Sequence, residues 1–153
     1  MTSLDKLKQW YATLTIETLP DIYLFYAPDA SFKDPFNEVR GIAAIEQIFS
    51  HMFQTTEHPS FSFIDTIQQG NQAFLSWQFK FGLNGKEYEV KGATHLYLDD
   101  AGLITMHRDY WDAAEELWQK LPLLGTLVRW LRKKFSAQPN GKPGQYQTIS
   151  DAP

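Results

Sequence analysis

Hydrophobic residues recur at the spacing of a helix in three segments of the first part of the chain. The first segment follows Ser3, a favourable N-cap residue, and its apolar positions are Leu4, Leu7, Tyr11 and Leu14. The second segment begins near Pro20 and ends before Pro28, and its apolar positions are Ile22, Tyr23 and Tyr26. The third begins at Gly41, and its stripe consists of Ile45, Ile48, Phe49, Met52 and Phe53. We therefore expect three helices, with a brief strand at residues 30–34 before the third.

The apolar period changes from helical to alternating after Pro59. Turn signals at residues 69–71, 84–85 and 99–102 separate the alternating segments, and Asn84-Gly85 is the strongest hairpin signal among them. They predict strands at residues 61–67, 73–81, 88–98 and 103–111. Helices followed by hairpin-linked strands predict an α+β fold, with the N-terminal helices packed on a curved antiparallel sheet that forms a cone-like apolar pocket.

The chain after the predicted sheet has a different character. We expect residues 1–120 to form the pocket domain, with a last helix at 113–120, and residues 136–153 to be a flexible polar tail. Residues 121–135 form an amphipathic basic helix, in which Leu124, Leu127, Val128, Leu131 and Phe135 lie on one side and Arg129, Arg132, Lys133 and Lys134 on another. Residues 123–135 are predicted to contact an anionic membrane surface peripherally, or alternatively to cover the open end of the sheet or a second subunit.

Composition narrows the candidate functions. Aromatic residues make up 15% of the 153 residues, which favours a pocket for an apolar molecule, and the net charge of -4 argues against nucleic acid as a partner. There is no cysteine, no metal-ligand spacing among the four histidines and no glycine-rich phosphate loop, so we expect no metal and no cofactor. Met1 to Trp10 lack a signal-type apolar core and no apolar run has transmembrane length, so we expect a cytoplasmic protein, peripheral on the inner membrane face if the basic helix binds lipid.

Three side chains are candidates for acid–base chemistry. Asp34 shares a strand face with Phe32, and a carboxylate that points into an apolar pocket has a raised pKa suited to a general base. The alternative is that Asp34 caps the turn before Pro35 at the surface. His107 and Asp109 share a face of the last strand, where they form a proton-transfer pair or, alternatively, a hydrogen-bonded core histidine and an ion-paired aspartate.

The expected pocket walls are aromatic side chains from the first helix and the inward faces of the strands. They are Tyr11, Phe32, Trp77, Phe79, Phe81 and Trp111. The alternative for each of them is ordinary core packing. His95 is expected on the opposite face of its strand from Thr94, away from the pocket.

Several motifs in order resemble the SnoaL-like families of the nuclear transport factor 2-like superfamily. They are L-P-D-I-Y-L-F-Y-A-P-D-A-S-F-K-D at residues 19–34, R-G-I-A-A-I at residues 40–45 and H-R-D-Y-W-D at residues 107–112. The resemblance covers residues 4–120 and implies the same α+β pocket fold. It leaves the activity open, because this fold hosts isomerases, cyclases, hydrolases and binding modules.

Two enzyme families of that fold suggest site residues. The ketosteroid isomerases carry their base in an Asp-Pro pair that resembles Asp34-Pro35; the positions of their oxyanion-hole tyrosine and acid fall on Trp10, with Tyr11 beside it, and on Thr94. Limonene-epoxide hydrolases end in a run similar to residues 108–112, which places their catalytic aspartate at Asp109. Their other two partners fall near Trp77 and Phe79, which cannot do the same chemistry.

The sequence leaves three hypotheses. The first is a cofactor-free isomerase, cyclase or hydrolase in which Asp34 moves a proton on a small apolar, lipid- or polyketide-like molecule, assisted by Asp109 and His107. The second is a non-catalytic binding module for such a molecule. The third is a peripheral membrane adaptor with a vestigial pocket. The resembling families also imply a homodimer.

Overall fold

The computed structural model describes residues 1–112 and 133–134, and in this part the predicted helices and strands follow one another in the predicted order, with one short strand added. The elements are α1 (Ser3–Ala12), a 3₁₀ helix (Leu19–Leu24), β1 (Tyr26–Lys33), β2 (Glu38–Arg40), α2 (Ile42–Thr55), β3 (Glu57–Gln69), β4 (Gln72–Leu83), β5 (Lys86–Leu98) and β6 (Ile104–Tyr110). The strands form one curved, unclosed six-stranded sheet, so the predicted α+β architecture is confirmed.

The sheet has the strand order β2-β1-β6-β5-β4-β3. All neighbouring pairs are antiparallel except β1 and β6, which run parallel and bring Phe32 opposite His107. The first long strand therefore lies beside the last one. This pairing, which the alternating pattern does not reveal, places the two halves of the candidate site next to each other.

The predicted second helix is too long. The 3₁₀ helix ends at Leu24, and Tyr26 and Pro28 belong to β1 instead. Pro28 is tolerated in this strand because the pairing of β1 with β6 shifts register between Tyr26 and Ser31, so the missing N–H interrupts no regular ladder. Tyr23, expected on the buried side of the helix, is 52% exposed.

The two longer helices begin in different ways, α1 with a side-chain cap and α2 after a glycine. The N-cap of α1 is Thr2 rather than Ser3: its Oγ1 accepts from Asp5 N at 3.1 Å, and Asp5 Oδ2 accepts from Thr2 N at 2.9 Å. This capping box satisfies two backbone donors that a bare helix end leaves without partners. Gly41 precedes α2 with φ of 96°, a conformation that favours glycine, which confirms the predicted start of that helix.

The predicted turns are present. Asn84 and Gly85 have φ of 52° and 76°, as a type I′ hairpin turn requires. In the next turn, Asp99 Oδ1 accepts from the backbone N–H groups of Ala101 and Leu103. The one additional strand is β2, whose three residues are too short to show an alternating pattern.

Several predictions fall on residues that the structure does not describe. The helix at 113–120, the tail at 136–153 and all of the amphipathic helix at 121–135 except the helical Lys133 and Lys134 lie outside the described residues. Membrane contact through residues 123–135 therefore stays a prediction. In the part of the chain that is described, no helix is long and apolar enough to span a bilayer.

Candidate functional site

A largely apolar cavity opens between α2 and the inner face of the sheet. It contains about 720 Å³ of atom-free space, counted out to its open mouth. Because side chains alternate across a strand, every second residue of β4 faces inward, which delivers Trp77, Phe79 and Phe81 to one wall. Phe32 and Trp111 line it from other elements. Asp34 and Asp109 are the charged residues among its described lining.

A smaller recess of about 360 Å³ continues the cavity toward α1. It is lined by Tyr11, Thr94 and His107, and it shares Phe61, Trp77 and Asp109 with the main cavity, among other residues. The predicted site residues are thus brought together in two connected spaces. Asp34, Phe32, Phe79 and Trp111 lie in the outer space, while Tyr11, Thr94 and His107 lie in the inner one.

Asp34 holds a turn and faces the cavity at the same time. Its Oδ1 accepts from the backbone N–H of Phe36 at 2.7 Å and of Asn37 at 2.6 Å, while Asn37 Nδ2 donates to both carboxylate oxygens at 3.2 and 3.1 Å. Both alternatives considered for this residue therefore describe part of its environment. The carboxylate cannot swing freely, so its position in the cavity is fixed.

Burial raises the pKa of Asp34 from 3.8 to about 6. The hydrogen bonds from Phe36 and Asn37 favour the ionised form and oppose this rise, whereas the negative charge of Asp109 adds to it. Near neutral pH the carboxylate is therefore mostly ionised, yet far more basic than an exposed aspartate. That is the property expected of a general base.

Asp109 receives hydrogen bonds from two sides. Thr94 Oγ1 donates to its Oδ1 at 2.5 Å and itself accepts from Trp77 Nε1 at 2.7 Å. On the other side, His107 Nε2 lies 2.8 Å from the same oxygen. Because a carboxylate only accepts, these partners indicate that His107 carries its proton on Nε2 and that Nδ1 is an acceptor.

Two buried tyrosines complete this network. Tyr26 Oη lies 2.6 Å from His107 Nδ1, and Tyr11 Oη hydrogen-bonds to Tyr26 Oη and lies 3.3 Å from the same nitrogen. Burial raises the pKa of both phenols, so they remain protonated donors. Tyr11 therefore donates to Tyr26, Tyr26 donates to His107, and His107 donates to Asp109.

A family model described as a SnoaL-like domain matches residues 7–107 of the chain, a span that includes the cavity wall from α1 to His107. The protein belongs to the SnoaL-like domain family. No curated protein sequence matches the chain. Solved structures also match the chain, and because their sequence identity to it is low, they show a shared fold and nothing further.

Three solved structures illustrate that relationship. An NTF2-like protein from Exiguobacterium sp. 255-15 matches with a TM-score of 0.64 at 16% identity, covering 72% of this chain and 98% of its own. A Catenulispora acidiphila protein of ketosteroid isomerase-like fold, in complex with trimethylamine, matches with a TM-score of 0.66 at 17% identity, covering 78% and 93%. An LEH-like epoxide hydrolase from Mycobacterium tuberculosis matches with a TM-score of 0.64 at 15% identity. The match covers 84% of this chain and 92% of the hydrolase.

The geometry of this SnoaL-like domain changes one correspondence drawn from the sequence. The hydroxyl at the inner recess belongs to Tyr11. Trp10 points away from the recess: its Nε1 donates to Thr18 O at 3.0 Å, and its ring stacks on Phe25. Thr94 occupies the recess as expected, but as a hydrogen-bond donor to Asp109. The first-helix tyrosine is therefore present in space, although the sequence comparison placed that position on Trp10.

Tyr26 is the site residue that sequence reasoning missed. Its spacing from Ile22 suggested a helix, and its contact with His107 depends on the parallel pairing of β1 and β6. His95 lies outside the cavity, as predicted, stacked on Phe74 with ring centroids 4.1 Å apart. Within residues 1–112 and 133–134, no three His, Asp or Glu side chains come together as metal ligands.

Proposed function

We propose that this SnoaL-like protein binds a small apolar molecule in the aromatic cavity and transfers a proton on it, with Asp34 as the base and Asp109 assisting. The observation that carries the proposal is a fixed carboxylate of raised pKa that lines an apolar cavity beside a second carboxylate. One solved structure of the same fold is an LEH-like epoxide hydrolase, which supports a catalytic use of this kind of cavity.

The reaction proposed for Asp34 is proton abstraction next to a carbonyl group. The carboxylate takes a C–H proton, the electron pair of that bond moves into the carbonyl to give an enolate, and the protonated Asp34 returns the proton to carbon. General-base catalysis by a positioned carboxylate contributes about 10²- to 10⁴-fold in rate. Asp109 lies in the same cavity, where its fixed hydrogen bonds from Thr94 and His107 hold it in one orientation.

His107 takes a supporting part in this scheme. Both of its ring nitrogens already have protein partners, Asp109 on one side and the tyrosines on the other. It is 4% exposed, whereas the side chain of Asp109 is 19% exposed. We therefore propose that His107 orients Asp109 rather than touching the bound molecule.

A test that needs no natural substrate is the exchange of α-protons of an apolar ketone. 2-Tetralone is incubated with the protein in D₂O, and its deuteration is followed by NMR. We expect the wild type to accelerate exchange and Asp34→Asn to lose about 10²-fold or more of that acceleration. Asp29→Asn changes an exposed aspartate in β1, the strand that precedes Asp34, and this variant should exchange like the wild type.

Exchange at equal rates in the wild type and Asp34→Asn would remove Asp34 as the base. A wild type that binds the ketone without accelerating exchange would favour the second candidate, a non-catalytic binding module. The cavity itself supports that candidate, because its aromatic and apolar lining suits an apolar occupant whether or not chemistry follows. The relative that holds trimethylamine adds amine-bearing molecules to the candidate occupants.

A further inference from the structure

The described lining of the outer cavity contains negative charge without positive charge. Asp34 and Asp109 both face it, and no Lys, Arg or His side chain is among the described residues that line it. In the recess behind it, His107 is directed at Asp109. An apolar molecule that filled this space would remove water from two carboxylates and replace it with nothing that compensates their charge.

One oxygen of Asp109 is left for such compensation. Thr94 and His107 both donate to Oδ1, and no described residue donates to Oδ2. At Asp34, the two backbone donors also reach Oδ1, while Oδ2 accepts from Asn37 Nδ2 and from no other residue of the described part. Each carboxylate therefore has one well-saturated oxygen and one with capacity for a further donor.

The rest of the lining suits the same kind of group. Aromatic rings present negative π-faces, which attract organic cations as well as apolar groups. The aromatic lining residues are Phe32, Phe61, Trp77, Phe79, Phe81 and Trp111. By contrast, a carboxylate, sulfate or phosphate group on the ligand would meet repulsion from both aspartates.

We propose that the molecule bound in this cavity carries an organic ammonium group, which lies against Asp34 and Asp109 while the apolar remainder packs on the aromatic walls. The inference rests on the proposed function in taking this cavity as the ligand site, and it goes further by naming the charge of the ligand. It also excludes fatty acids and other anionic apolar molecules as natural occupants.

The two carboxylates make the binding of such a cation depend on pH. Asp34 becomes protonated below about pH 6, and the cavity then loses one negative charge. The charged group that faces Asp34 is Asp109 on β6, with His107 behind it, and Asn37 is a neutral neighbour. The side chains that α2 and β3 to β5 contribute to the cavity are apolar; those of α2 are Ile48, Phe49 and Met52. Affinity for the cation should therefore fall between pH 7 and pH 5, while affinity for a neutral molecule should not.

The experiment uses two probes of the same shape and different charge. Benzyltrimethylammonium and its carbon isostere neopentylbenzene are titrated into the full chain in the same buffer and cosolvent, and binding is followed by NMR and tryptophan fluorescence. We expect the cation to bind at least about tenfold more tightly at pH 7.5, because one or two cation–π contacts and a charge partner supply that much. Lowering the pH to 5 should remove much of this preference.

Three variants separate the contributions. Asp109→Asn and Asp34→Asn should each lower the affinity for the cation about fivefold or more. The affinity for the neutral probe should stay within about twofold of the wild-type value. Asp34→Asn should also abolish the pH dependence between 5 and 7. Asp29→Asn, at an exposed position paired with Arg40, should behave like the wild type with both probes. Thermal denaturation of each variant confirms that it is folded; if Asp34→Asn fails to fold, Asp109→Asn carries the test.

The outcomes distinguish this inference from the proposed function. Equal affinity for both probes, or cation binding that survives both Asn substitutions, overturns the ammonium inference and leaves the cavity as a site for neutral molecules. Failure of both probes to bind overturns the cavity as a ligand site and the proposed function with it. Charge-dependent binding without exchange of 2-tetralone leaves the ammonium inference standing and removes proton transfer.

Discussion

Asp34 is pulled toward two protonation states by its neighbours. The backbone donors of the turn at Phe36 and Asn37 favour the ionised carboxylate, whereas burial and Asp109 favour the neutral acid, and the second pair prevails. The folded protein therefore holds the Asp34 proton more tightly than the unfolded chain does. This makes a site residue into a source of pH-dependent stability.

The sign of that dependence follows from the raised pKa. Between pH 4 and pH 6 the folded state binds more protons at Asp34 than the unfolded state, so the free energy of unfolding falls as pH rises through this window. The full effect of this group is about 2–3 kcal/mol. Urea denaturation at pH 4, 5, 6 and 7 should show that the free energy of unfolding of Asp34→Asn rises relative to that of the wild type by about that amount as the pH increases. Asp29→Asn provides the matched control, and parallel curves for Asp34→Asn and the wild type would contradict the assignment.

Tyr26 lies at the centre of the buried network, with 1% of its surface exposed. Tyr26→Phe removes the hydroxyl that donates to His107 Nδ1 and accepts from Tyr11. Because buried groups lose their partner, we expect the free energy of unfolding to fall by about 1–3 kcal/mol. Tyr23→Phe removes an exposed hydroxyl bonded to Glu46 and should change stability by less than about 0.5 kcal/mol.

The same variant tests the assigned tautomer of His107. In the wild type, the ¹⁵N shifts of the ring should report a protonated Nε2 and an accepting Nδ1. In Tyr26→Phe, Nδ1 loses its 2.6 Å partner, and the shifts should move toward a mixture of tautomers. An unchanged ring spectrum would show that Asp109 and Tyr11 fix the tautomer without Tyr26.

Among the elements, β4 and β5 show how one missing side chain makes room for another. Trp77 lies over Gly92, its partner across the hairpin, so that a Cβ at position 92 would come within 2.5 Å of Trp77 Cη2 and 2.9 Å of Tyr110 O. Real Cβ atoms do not approach other atoms so closely, and the indole fills most of this gap. The glycine thereby sets the position of a cavity wall.

Gly92→Ala should accordingly displace Trp77 and cost about 1–3 kcal/mol of stability. The expected sign is informative, because Gly→Ala at an unstrained position usually stabilises by about 0.4–1 kcal/mol through the unfolded state. Chemical denaturation measures the loss, and a shift of the tryptophan emission reports the displaced ring. Lys91→Ala, at an exposed neighbouring position, should leave the emission unchanged; a stabilised Gly92→Ala would show that the ring has room to move.

Local signals predicted the elements whose causes are local. The Asn84-Gly85 turn, the α2 stripe and the inward face of β4 depend on residues close in sequence, and the structure has all three. The pattern predicted Tyr26 in a helix that ends before Pro28, whereas both residues belong to a strand that depends on pairing with the distant β6. The network around His107 was missed for the same reason, since Tyr26 meets it only after that pairing.

At the scale of the whole molecule, the outer face of the sheet carries apolar side chains that no residue of 1–112 or 133–134 covers. Ile67 is 69% exposed, Phe74 45% and Tyr110 48%, and Phe74 stacks on His95 on this face. Large exposed apolar groups on one surface favour contact with another protein surface. We propose that a homodimer, which the resembling families imply, forms its contact on this face.

We expect the chain to elute in size-exclusion chromatography with light scattering at twice the mass of one chain. Replacing Phe74 by Glu together with Ile67 by Glu should shift it toward the monomer, because charges would be buried at the contact. Glu substitutions of Gln68 and Thr66 provide the control, because these exposed residues of the same strand lie opposite the inward-facing Ala73 and Leu75. A wild type that is monomeric at all concentrations tested would contradict the homodimer.

The parallel pairing of β1 with β6 also bears on how the protein is made. Asp34 follows a strand synthesised early, yet the strand that flanks it, and that bears Asp109, is the last one described. A nascent chain that has not yet released Ile104 to Tyr110 from the ribosome lacks the neighbour that β1 requires. Contacts between distant segments form slowly. Ligand binding should therefore emerge only after Ile104 to Tyr110 have left the ribosome, because β1 gains its neighbour β6 only then.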